Sequence, residues 1–188
     1  MQKFYKYARI AAFVIIGLEV ILFLLIFLGN KLLGPNYFTY GAIIEALMWG
    51  SICGLFAYLL HLSSKKSIVR TASILIVVGS SLYLINCFVL YMAVSIGHLW
   101  YPDIWSLILF SVGTIMFAIG IIQLISLYKK NSLTRISGLI FVSLVSILFV
   151  FSFYSLFEPL LLEPMGALTL GLLQLCFVPF LFGLSQHK

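Results

Sequence analysis

Two carboxyls and two amides stand inside long apolar stretches of this chain: Glu19, Glu45, Asn86 and Gln174. An ionisable residue in such a setting is costly and is by default a functional candidate, so the four together define a candidate polar pocket or proton path, and a candidate ligand site. The competing account is a set of hydrogen bonds that fixes the register of neighbouring helices. The register account is favoured at this level, because the apolar runs hold only two acids and no base accompanies them. The helix-forming run around Glu19 tolerates its carboxyl. A charge near the bilayer centre costs about 2.5–3.5 kcal/mol, whereas Leu, Ile, Val and Phe contribute about 0.3–0.6 kcal/mol each, and residues 9–29 hold 15 of them. Glu19 lies ten residues beyond Arg9, or about 15 Å along a helix, which places it near mid-membrane and facing the bundle.

Other residue types that do chemistry lack the spacing for it. His98, Asp103, Glu158 and Glu163 can bind metals, but they are scattered over two loops, so no metal site is expected. His61 and His98 fall at opposite ends of the apolar runs, which excludes a bis-His haem within one chain; His187 reads as a solvated tail residue. Cys53, Cys87 and Cys176 all lie in apolar runs without a C-x-x-C pair, and read as small packing residues. H-E-x-x-H, G-x-S-x-G and glycine-rich phosphate loops are missing from the sequence, and no Ser shares a plausible helix face with a His. The expectation is a protein with no catalytic residues and no cofactor, not an enzyme.

The elements that must position these residues follow from composition. Of 188 residues, 63% are hydrophobic and 9% charged, with a mean hydropathy of +1.20. Soluble domains carry about 25% charged residues, so a water-soluble globule, a disordered chain and a nucleic-acid-binding module are all excluded. About 20 apolar residues cross a bilayer as a helix, and six runs meet that length: 9–29, 39–61, 70–95, 104–127, 135–157 and 164–184. Membrane-barrel strands would alternate apolar and polar residues, and these runs do not. The predicted fold is therefore an all-α, polytopic six-helix membrane bundle forming one domain. The first run is longer than a signal-peptide core and is expected to be retained. Gly34-Pro35-Asn36, Tyr101-Pro102-Asp103 and Glu158-Pro159 punctuate the linkers, with Asp103 a candidate cap. Pro164 suits a first helical turn, and Pro179 is expected to kink the last helix.

Ten of the eleven basic residues flank the same ends of the runs: Lys3, Lys6 and Arg9; Lys65, Lys66 and Arg70; Lys129, Lys130 and Arg135; and Lys188. Lys31 alone is opposite. Positive residues mark the cytoplasmic side, so both termini are expected there. Tyr37, Tyr40, Trp100, Tyr101 and Trp105 form an aromatic belt on the far side. Ser67-Ile68-Val69-Arg70 and Ser132-Leu133-Thr134-Arg135 each follow a Lys-Lys pair, which suggests three repeated helical hairpins. Any six-helix chain with cytoplasmic termini yields a similar rhythm.

Ala42, Ala46, Gly50 and Gly54 recur every fourth residue and form a smooth stripe suited to close helix packing, within the chain in preference to an oligomer interface. Thr114 with Ala118 and Ala167 with Gly171 make shorter versions, and Ser143 and Ser146 could bond across helices or to their own turn. The short loops leave no room for a soluble domain. The expected role is a non-enzymatic accessory or assembly subunit in contact with the lipid bilayer and with a membrane-protein partner or further copies of itself. The alternative is a small carrier or ligand-binding membrane subunit with a midplane site around Glu19 and Glu45. Compactness and short loops point to a bacterial plasma membrane.

Overall fold

In a computed structural model, residues 2–33, 37–63, 67–95, 104–127, 132–154 and 177–185 are described, and they are almost wholly helical. The helices are α1 (Gln2–Leu33), α2 (Tyr37–Leu62), α3 (Ile68–Ser95), α4 (Ile104–Leu127), α5 (Ser132–Tyr154) and α6 (177–185). Four of them contain stretches long and apolar enough to cross a membrane: Lys3–Leu25, Tyr40–Leu62, Ile68–Val89 and Ile108–Leu127. In α5 the corresponding apolar stretch, Ser132–Ile147, is shorter among the described residues. Pro164, Ala167, Gly171, Gln174 and Cys176 lie outside the described residues, as do Gly34-Pro35-Asn36, His98 to Asp103, Glu158-Pro159 and Glu163. Pro179 falls within α6, and the residues before 177 that would define a kink are again outside them.

Helix α1 begins seven residues earlier than the apolar pattern predicts. Lys3, Lys6 and Arg9 make that first stretch look like a flank, yet Phe4, Ala8, Ala11, Ile15 and Leu22 are buried at alternating spacings of four and three, or their sum of seven. An inward stripe with that period continues a helix through a charged turn. At the start of α3 the Ser67 side chain accepts a hydrogen bond from the Arg70 amide at 3.2 Å, the geometry of an N-cap. The Ser-x-x-Arg element thus has a local cause at α3, independent of any hairpin duplication.

Consecutive helices run antiparallel and pack side by side, and α6 returns to α1 through Phe13 and Phe182, whose ring centroids are 5.3 Å apart. The basic side chains Lys3, Lys6, Arg9, Arg70 and Arg135 consequently share one end of the bundle. Large apolar side chains such as Phe13, Phe23, Phe88 and Val150 point outward, which suits a surface solvated by lipid. Inside, Phe117 is the hub of an aromatic cluster. It touches Trp49, Phe141 and Phe177 at centroid separations of 5.5–5.6 Å, and Phe177 reaches on to Phe56 and Phe180.

Close backbone approach between helices occurs away from the expected stripe. A Cβ added to Gly79 would stand 2.8 Å from the Gly113 carbonyl oxygen, and one on Gly120 would stand 2.9 Å from the Ala72 oxygen. Here α3 and α4 meet backbone to backbone. Gly138 is similarly closed in by Ile125, and Gly183 by Thr134. Gly50 and Gly54 have open space where a Cβ would be. Of the stripe, Ala46 packs partly against the core, Ala42 is half-buried, and Gly50 and Gly54 meet no packing partner at an added Cβ among the described residues. The physical reason is angular: the row drifts around α2, so that Gly50 and Gly54 lie about 100° and 140° from Trp49, which with Cys53 meets α3.

Candidate functional site

The inward stripes carry polar residues at one level. On α1, Glu19 continues the Phe4, Ala8, Ala11, Ile15 series and is 7% exposed. On α2, Glu45 stands one turn before the buried Met48 and Trp49. On α3, Asn86 and Cys87 are both buried, one turn beyond Tyr83. Register explains their meeting. Tyr7 of α1 packs edge-on against Tyr58 of α2 at 5.3 Å, and a Cβ on Gly41 would contact Leu22 at 3.7 Å. Glu19 is 12 residues on from Tyr7, and Glu45 is 13 residues before Tyr58, so in antiparallel helices the two carboxyls are level to about 1.5 Å.

Glu45 accepts a hydrogen bond from the Cys87 thiol, with Sγ 3.8 Å from Oε2. Glu19 differs: its Oε1 is buried and has no hydrogen-bond partner among the described residues. Burial of a polar oxygen without a partner costs about 1–3 kcal/mol, and such an atom marks where a proton-bearing group or ligand would be satisfied. One turn below, the Trp49 ring stacks on Tyr83 at 4.1 Å, and the Tyr83 hydroxyl bonds to Thr114 at 2.5 Å. Cys53 meets the Ser81 hydroxyl at 3.5 Å farther along the same α2–α3 seam. The site is therefore polar between α1, α2 and α3 and is floored by aromatic rings toward the basic end.

Three of the four sequence candidates fall in this region. Glu19 and Glu45 come together, and Asn86 is buried beside Cys87; Gln174 lies outside the described residues. Glu19 stands close to the middle of α1 (Gln2–Leu33), and the register with α2 sets it level with Glu45. Cys87 is a correction: it is a hydrogen-bond donor to a carboxyl, not only a small packing residue. No spacing in the sequence signals this contact, because it joins α3 to α2 between residues 42 apart. Ser146 bonds back to the Val142 carbonyl at 2.9 Å, and Thr114 joins α4 to α3 through Tyr83.

Among the described residues, no three His, Cys, Asp or Glu side chains converge as a metal-binding set. No family model, curated protein or solved structure matches the chain.

Proposed function

We propose that the protein is a small carrier or ligand-binding membrane subunit whose ligand is held between α1, α2 and α3 by Glu19 and Glu45, with proton exchange at this pair. The observation that carries the reading is the buried Oε1 of Glu19, unpartnered among the described residues and level with a second carboxyl on α2. Paired carboxyls in an apolar bundle suit a ligand that brings hydrogen-bond donors or positive charge. In this reading the chain crosses a bacterial plasma membrane six times, with both termini and the basic end in the cytoplasm.

Native mass spectrometry of protein extracted gently with its own lipids tests it. The expected result is a small-molecule adduct of reproducible mass whose occupancy varies with pH and falls at least tenfold in the Glu19→Gln, Glu45→Gln double variant. Wild-type occupancy in a folded double variant overturns the carrier reading. A second polypeptide at fixed stoichiometry, unaffected by that variant and with no adduct, would return the accessory-subunit role.

A further inference from the structure

Between α1 and α2, at the basic end of the bundle, an apolar groove of about 270 Å³ opens on the outer surface. Tyr7, Ile10 and Val14 form one wall, and Ser51, Gly54 and Tyr58 the other. It exists because Gly54 supplies no side chain where α1 and α2 separate, with nothing within 4 Å of its missing Cβ. From Tyr7 to Val14 the groove runs about 10 Å along the helix axis. On the surface of a membrane-spanning bundle the medium outside is hydrocarbon, and a groove of this shape accepts an acyl chain.

Charge at the mouth selects the headgroup. Lys3 is four residues before Tyr7 and Lys6 four before Ile10, so both lie on the groove face of α1, one turn nearer its end. His61 follows Tyr58 by three residues on α2. All three side chains are exposed. Among the described residues the only acids are Glu19 and Glu45, more than a dozen residues along their helices from this end. Among the described residues the basic cluster therefore has no carboxylate to neutralise it there, while basic groups between helices at the cytoplasmic surface attract anionic lipid headgroups. We infer that the α1–α2 groove is a binding site for one anionic phospholipid: a chain lies against Gly54 between the walls, and Lys3, Lys6 and His61 hold the phosphate headgroup. This site is separate from the carboxyl site and does not depend on it.

The test uses the full-length protein, delipidated in detergent and titrated with phosphatidylglycerol or with phosphatidylcholine of the same chains, read by native mass spectrometry. Phosphatidylglycerol is expected to bind more tightly by a factor on the order of ten. Lys3→Gln with Lys6→Gln should bring the two lipids to near-equal affinity. Gly54→Leu fills open space without a clash, so it should fold and weaken retention of both lipids. Equal binding of the two lipids by the wild type overturns the inference. So does unchanged retention in folded Gly54→Leu, or a detergent-stable dimer that Gly54→Leu dissociates, which would give the groove to a second copy of the chain.

Discussion

The hydrogen bond from Cys87 to Glu45 and the lone oxygen of Glu19 are matters of a few atoms, and they separate two acids that look alike in sequence. A polar residue in an apolar run is conspicuous, so Glu19, Glu45 and Asn86 were legible as candidates. Their partners were not. Whether a thiol meets a carboxyl depends on the rotational phase of two helices, and composition carries no information on that phase. The Tyr83–Thr114 bond gives a quantitative check at this scale. Interhelical hydrogen bonds in membranes average about 0.6 kcal/mol and reach about 1.7. Tyr83→Phe and Thr114→Val should each destabilise by an amount in that range, and the double variant should cost less than their sum in a detergent unfolding cycle. Strict additivity would show that the hydroxyls do not interact. Cys87→Ser keeps a donor for Glu45 and should be tolerated, whereas Cys87→Val should lower the melting temperature by removing it.

Helices were the most legible elements and their contacts the least. The α4 boundaries follow the apolar run, while α1 extends through charged residues because its inward stripe does not stop at Arg9. Small residues every fourth position in α2 form a smooth ridge, but a ridge needs a neighbour, and the neighbour at Gly54 is open space. The working seam uses Gly79, Gly113 and Gly120, spread over two helices, so no single helix displays it. Gly79→Leu should therefore cost at least the 1–3 kcal/mol typical of overpacking, and Gly50→Leu should leave the melting temperature nearly unchanged. The reverse order in a thermal scan would overturn this packing scheme. Phe4→Ala should also lower the melting temperature, since Phe4 is fully buried against Phe56.

At the scale of the whole molecule, charge asymmetry made the polarity of the bundle legible: Lys3, Lys6, Arg70 and Arg135 stand at one end because consecutive helices alternate in direction. The return of α6 to α1 was not legible, since Phe13 and Phe182 are 169 residues apart in sequence and meet only through the ring of helices. If six crossings are made with both termini inside, a reporter fused after Lys188 and one fused before Met1 should both read as cytoplasmic. Opposite locations would require an odd number of crossings.

The backbone contact at Gly79 and Gly113 leaves no side-chain layer to rearrange, so α3 and α4 form a stiff girder. Glu45 is coupled to it through Cys87 and through the Trp49–Tyr83 stack. Glu19 rides on α1, which leans on α2 through side chains and parts from it at the groove. The apolar stretch of α1, Lys3–Leu25, is 23 residues or about 35 Å long, enough to span a hydrocarbon layer of about 30 Å with room to tilt. Stiffness is thus unequal across the site: one carboxyl is anchored and the other is on a compliant lever. Bilayer thickness, acting as a mechanical load on the tilt of α1, enters directly into the gap between them.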